Sequence, residues 1–300
     1  MKSWRVAFCG SLLLLSLPSG RAGTLAQFRT VFGDIEVELY DQQKPATVQN
    51  FKRLVQSGAY QNTFFHRVVP GFVAQGGGYF TTIPSSHIDF ATPWSYLGQV
   101  PNFGSITNEY NVGPRFSNTN GTIAMAKTDG NPNSATCQWF FNLGNNSTNL
   151  DNQNGGFTVF GHMVRDTGST TNGPVLGLLT LMAYGRGMVN MQWWYGTNDS
   201  VANMFQQMPV TYTGFYYPWY SDLFYVDISL LNVQVAVKTN GNREISWNSA
   251  SNQMNYVEFT TNFPPVWNLL VSTNGDGTIL KVTDSSPKGF RRFYRVRVAY

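Results

Sequence analysis

The chain has 300 residues, 42% of them hydrophobic and only 12% charged, with a formal net charge of +4. That length holds one large domain or two modest ones, and the apolar fraction suffices for a sizeable core. The charge excludes an electrostatic footprint for nucleic acid: 20 basic residues face 16 acids, and Lys2, Arg5 and Arg21 belong to a leader.

Residues 1–23 read as a signal peptide. Lys2 and Arg5 open it, Val6 to Leu17 is mostly apolar, and Pro18-Ser19-Gly20-Arg21-Ala22 brings a helix breaker and small residues to a cleavage point. The apolar run is too short to span a bilayer comfortably. An exported chain with no stable membrane span is expected, bound for periplasm, cell surface or medium. Cys9 leaves with the leader, so Cys137 is alone and the mature chain forms no internal disulfide. A structural role and a nucleophilic one both stay open for it.

The first predicted element is a hairpin, with Ala26 to Val31 and Asp34 to Tyr40 flanking Phe32-Gly33. Ile35, Val37 and Leu39 alternate with Glu36 and Glu38, the pattern of a half-buried strand. Pro45 opens a helix through Ser57, with Val48, Phe51, Leu54 and Val55 on one face and Gly58 ending it. Phe64 to Gln75 is dense in aromatic and β-branched residues, broken by the turn signal Pro70-Gly71. Ser85 to Gly104 reads as a loop. Thr122 to Ala126 and Gln138 to Leu143 are short strands around a polar loop, and a second polar loop, Asn145 to Gly156, precedes the strand Phe157 to Val164. Val175 to Tyr184 predicts a short helix weakened by Gly177. Phe215 to Tyr220 is an aromatic cluster, either a binding patch or loop aromatics packing down on a barrel. Leu223 to Val237 reads as one long strand.

From about Asn240 the character shifts. Ile245 to Trp247, Asn255 to Thr260, Trp267 to Ser272, Thr278 to Val282 and Arg292 to Val298 read as five short strands, with Asn240-Gly241 and Asn274 to Gly277 as hairpin turns. A small all-β sandwich is expected. In its last strand Arg295 and Arg297 alternate with Tyr294, Val296 and Val298, which suits a solvated face or an anionic ligand site.

Templates for covalent and cofactor chemistry are missing. His66, His87 and His162 stand at no metal-ligand spacing, and there is no nucleophile elbow, phosphate loop or dinucleotide fingerprint. Gly76-Gly77-Gly78 reads as backbone turning beside a cleft. The most specific pattern is Phe65-His66-Arg67-Val68-Val69-Pro70-Gly71-Phe72-Val73-Ala74-Gln75-Gly76-Gly77. It is followed by Asn108-Glu109, Gly121-Thr122-Ile123-Ala124-Met125-Ala126, Ser134-Ala135-Thr136-Cys137-Gln138-Trp139-Phe140-Phe141-Asn142, Leu150-Asp151 and Val159-Phe160-Gly161. With Pro45 to Phe51 upstream and Phe224 to Ile228 downstream, these motifs resemble, in order, the cyclophilin family of peptidyl-prolyl isomerases, from roughly Leu25 to Val237.

The resemblance implies a closed eight-stranded antiparallel barrel with two capping helices over residues 24–238; the small β-sandwich expected from the strand pattern takes 239–300. It implies rotation about Xaa-Pro bonds in proline-containing polypeptides, with no metal and no cofactor, and a monomer is expected. The barrier to that rotation is ~18–20 kcal/mol because amide resonance is lost midway. A donor beside the pyramidal proline nitrogen favours the twisted state. Arg67 matches the family's catalytic arginine, and Gln75 a glutamine that bonds substrate or steadies the arginine. Phe72, Val73, Phe140 and Leu150 match the proline pocket. Met125, Ala126 and Lys127 match the segment that meets the substrate chain, Gln138 a groove residue beside it, and Phe157 the pocket wall. Trp139 departs from the usual Phe, and Asn149 from the Trp or Phe of many members. The alternatives are a non-enzymatic binder or chaperone of Pro-containing segments, and an adhesin whose main function lies in the C-terminal module.

Overall fold

Alternating burial drives the first hairpin. β1 (Leu25–Thr30) and β2 (Gly33–Leu39) pair antiparallel, burying Ala26 and Phe28 with Ile35, Val37 and Leu39 while Glu36 and Glu38 face outward. α1 (Pro45–Gln56) begins on proline, buries Val48, Phe51 and Leu54, and stops before Gly58, whose φ of 74° suits a helix C-terminus. The computed structural model describes residues 24–90, 94–166, 174–184, 187–211, 217–231, 233–249, 254–262, 265–276, 278–286 and 291–299. The expected signal peptide, residues 1–23, lies outside them, as do Phe215 and Tyr216. Among the described residues no helix is long and apolar enough to cross a membrane.

The chain continues through β3 (Thr63–Phe64), β4 (Arg67–Val69), β5 (Val73–Gly76), β6 (Tyr79–Thr81), β7 (Leu97–Gln99), β8 (Thr122–Met125), β9 (Trp139–Asn142), α2 (Ser147–Leu150) and β10 (Val159–Asp166). Then come α3 (Val175–Tyr184), β11 (Met188–Val189), α4 (Gln192–Tyr195), β12 (Met208–Pro209) and β13 (Tyr225–Leu231). One sheet takes the order β4-β5-β9-β8-β10-β2-β1-β13-β3-β6-β7. Only Phe65 and His66 separate β3 from β4 in sequence, yet the two stand far apart in that order. The sheet therefore curls until its ends approach, and Phe65 donates its backbone N–H to Phe224 beside β13 at 3.0 Å. Inside the curl Phe28, Phe51, Phe65, Trp139, Phe141 and Phe160 form the core, and α1 and α3 both contribute buried residues to it. The protein is mainly β with few helices, as expected. One stretch differs: the segment read as a loop from Ser85 to Gly104 contains β7, which extends the sheet beyond β6.

A second cluster buries Phe64 of β3 and Phe90 together with Phe205 and Tyr220 from the segment between α3 and β13. Of the aromatic run Phe215 to Tyr220, the described members divide: Tyr220 packs down into this cluster and Tyr217 is exposed. The segment between α3 and β13 also covers the outer edge of β4, where Val68 donates its N–H to the Gln207 carbonyl at 2.8 Å.

The long strand expected from Leu223 to Val237 is divided between two sheets. β13 stays with the first, whereas β14 (Gln234–Val237) pairs with β15 (Arg243–Asn248). The boundary at residues 238–239 therefore cuts a hairpin, closed by Lys238 N–H to the Asn242 carbonyl at 2.8 Å. β16 (Met254–Thr260), β17 (Asn268–Asn274), β18 (Ile279–Asp284) and β19 (Phe293–Ala299) complete two three-stranded sheets, β14-β15-β18 and β17-β16-β19. Ile245 and Trp247 from the first share one buried cluster with Val257 and Val296 from the second. Arg295 is engaged within the chain, its Nε 2.5 Å from Glu258 Oε2 and its guanidinium over the Trp267 ring.

Candidate active site

Strand register assembles the site. Arg67 stands opposite Gln75, Gln75 opposite Phe140, Phe140 opposite Ala124, and Ala124 opposite Val159. These five positions cross β4, β5, β9, β8 and β10 in one row. Side chains alternate along a strand, so the row lies on the face opposite Val68, Ala74, Ile123, Phe141 and the core. Two outside positions on neighbouring turns of the pattern, Val73 and Ala126, join it. Val73, Ala124, Phe140, Leu150 and Val159 form a buried apolar cluster, with Phe72, Ala126, Phe157, Tyr40 and Phe116 partly buried around it. The Phe140 and Phe157 rings meet edge to face at 5.9 Å.

The polar end of the row is set by burial and by few partners. Arg67 is half-buried, and desolvation lowers its pKa from the usual arginine value while leaving it a cation. Among the described residues no acidic side chain is paired with it. Gln75 donates from Nε2 to Gln138 Oε1 at 2.7 Å, which fixes the amide beside Arg67. His66 is buried behind them. Burial, then the Arg67 charge, pushes its pKa down to about 3, so its ring is neutral at physiological pH.

Sequence reading places most of the site residues together, with two refinements and one correction. Ala126 already donates its N–H to the Gln138 carbonyl at 2.9 Å, so its carbonyl is the group left for a substrate chain. Lys127 uses its ammonium inside the protein, donating to the Asn154 and Gly156 carbonyls at 2.7 Å each beneath the Phe157 ring, and burial lowers its pKa to about 8. Met125 is the correction. It sits one position from Ala124 and Ala126 on β8, so its side chain points the other way, into the core, and is 1% exposed. Asn149 is exposed on α2 and brings no ring to the pocket edge. Cys137 is buried, and burial raises its thiol pKa, which suits the structural role.

Sequence reading missed the supports. Three buried asparagines, Asn118, Asn142 and Asn146, link the pocket walls from behind. Glu109 accepts from the Ala46 and Thr47 N–H groups at 3.1 and 2.7 Å, satisfying the first turn of α1. Only Asn142 carried a local signal, as a polar residue inside an apolar motif; Asn118, Asn146 and Glu109 lie in polar stretches, and nothing local told which distant group each would meet.

A cation and an amide thus stand beside a cluster of apolar side chains on the outer face of a curled sheet. Residues 25–171 match the family described as cyclophilin type peptidyl-prolyl cis-trans isomerase/CLD. A peptidyl-prolyl cis-trans isomerase of Acinetobacter baylyi is 38% identical over 162 residues, covering 54% of this chain and 77% of its own. Peptidyl-prolyl cis-trans isomerase B of Escherichia coli is 37% identical over 144 residues, covering 47% and 77%. The chain belongs to the cyclophilin-type peptidyl-prolyl cis-trans isomerase family.

Proposed function

We propose that this protein speeds rotation about Xaa-Pro bonds in polypeptides, with Arg67 as the catalytic residue. The carrying observation is the row from Arg67 through Gln75 to Phe140 on one face. The apolar hollow around Phe140, lined by Phe72, Val73, Leu150 and Phe157, takes the proline ring. The Arg67 guanidinium then lies on the polar side, where it donates to the nitrogen that regains its lone pair as the amide twists. Both planar states lack that lone pair, so the interaction favours the transition state alone. Gln75, held by Gln138, steadies the guanidinium or bonds the preceding carbonyl. No bond to the enzyme forms, so neither nucleophile nor metal enters the step.

The two C-terminal sheets are read as a separate β-sandwich module that serves attachment or docking, supported by their own buried cluster. Export rests on the leader sequence alone.

A protease-coupled isomerisation assay on a Pro-containing peptide tests the assignment, with Arg67→Ala beside the parent. Loss of one preorganised donor should cost about 2–4 kcal/mol of transition-state stabilisation, roughly 30-fold or more in kcat/KM. Equal rates in both proteins would reject the role of Arg67. Removal of the second module should leave peptide isomerisation intact.

A further inference from the structure

Asn118, Asn142 and Asn146 are all buried. Asn146 donates from Nδ2 to the Phe72 carbonyl and to Asn142 Oδ1, at 2.7 Å each. Asn142 in turn donates to Asn118 Oδ1 at 3.2 Å and to Thr122 Oγ1 at 2.9 Å. Asn118 donates onward to the Phe157 carbonyl at 3.0 Å and to Asp151 Oδ1 at 2.8 Å. Each amide uses both of its hydrogens, and the three point head to tail. The chain starts at the backbone of Phe72, beside β5, and ends at the backbone of Phe157, beside β10; β9 and β8 lie between, so the two flank the apolar cluster, and the hollow proposed there, on opposite sides. A packed side chain resists compression but tolerates drift, whereas a saturated chain of buried amides fixes a distance, because each broken link strands a polar group away from water.

We propose that these three asparagines are positioning residues that set the width of the proline pocket by tying its Phe72 flank to its Phe157 flank. The proposal rests on reading that hollow as the proline pocket. The grip on the ring is the same in the planar and twisted states. Loosening the chain therefore weakens binding in both states and raises KM, leaving kcat in place; Arg67→Ala should do the reverse.

Asn142→Leu, close in shape, cuts the chain at its middle. Thr122→Val removes a hydrogen bond to the same amide without touching either flank. Both should lower the melting temperature. Only Asn142→Leu should raise KM, by about tenfold with kcat within twofold, and weaken Ala-Pro peptide affinity in a calorimetric titration to match. Asn146→Ser, which removes the links to Phe72 and to Asn142 and leaves the Phe157 end in place, should shift KM and affinity the same way and serves if Asn142→Leu does not fold. The proposal falls if Thr122→Val shifts KM and affinity as much as the chain-cutting variants do, or if neither chain-cutting variant shifts them. Because the titration needs no catalysis, a parent that binds peptide without isomerising it overturns the enzymatic reading and leaves this one standing. A parent that binds no peptide overturns the pocket and this inference with it.

Discussion

Trp139 fills space that two glycines leave open, and the two are not equivalent. A Cβ at Gly76 would stand 2.6 Å from Trp139 Cη2 and 2.8 Å from Cζ2, the far end of the indole. A Cβ at Gly77 would stand 2.6 Å from Trp139 Nε1, near the root of the ring, and 2.8 Å from the Cys137 carbonyl oxygen. Gly77 also has φ +73°, where an alanine costs ~1–2 kcal/mol. Overpacking a core costs about 1–3 kcal/mol, so Gly76→Ala should destabilise by that amount and Gly77→Ala by about 2–5. Trp139→Phe removes the far end of the ring and keeps the root. It should rescue Gly76→Ala with a coupling of about 1–2 kcal/mol in a double-mutant cycle, and Gly77→Ala by less than about 0.5. Trp139→Phe alone is offset in part, because the indole N–H is buried and has no hydrogen-bond partner among the described residues. Urea denaturation of the single and double variants and the parent supplies both cycles. Gly76 faces Trp139 one step from where Gln75 faces Phe140, so Gly76→Ala should also slow isomerisation and the double variant should recover it. Equal coupling in the two cycles, or a stable Gly76→Ala, would refute this account of the packing.

Two further outcomes follow from buried polar groups. His66 is held neutral, its pKa drawn from the ordinary 6.5 down to about 3, chiefly by desolvation. The unfolded chain therefore takes up the proton first as pH falls. This contribution to stability is whole above about pH 6.5 and lost towards pH 3, at ~1.4 kcal/mol per pH unit. Urea midpoints between pH 7 and pH 4 read that slope, and His66→Gln should make it shallower; an unchanged slope would mean that His66 is not the group responsible. Glu109→Ala strands the Ala46 and Thr47 N–H groups at the start of α1. It should cost about 1–2 kcal/mol, as loss of a helix cap does, seen as a lower melting temperature with peptide isomerisation kept. A melting temperature equal to the parent's would count against the capping role.

What the sequence made legible was whatever repeats locally. The alternation Ile35-Glu36-Val37-Glu38-Leu39 and the apolar face Val48-Phe51-Leu54 were readable because a strand and a helix impose periods of 2 and 3.6 on burial. The run from Leu223 to Val237 was misread as one strand for the same reason: composition stays apolar and β-branched across the point where the chain leaves one sheet for another, and pairing partners are not local. Met125 is the instructive case, since the means to place it were present. Along Thr122–Met125 the period of 2 that assigns Ala124 to the groove must send Met125 to the core. Motif matching took Met125, Ala126 and Lys127 as a block, and a block has no faces. The asparagine chain shows the opposite limit. Asn118, Asn142 and Asn146 lie in stretches that read as polar loop or strand end, and no period relates them. Their roles come from meeting one another and, at the two ends, backbone carbonyls up to 74 residues away. A motif locates the groups that touch substrate, the alternation corrects which way they point, and what holds them at their spacing has to be read in three dimensions.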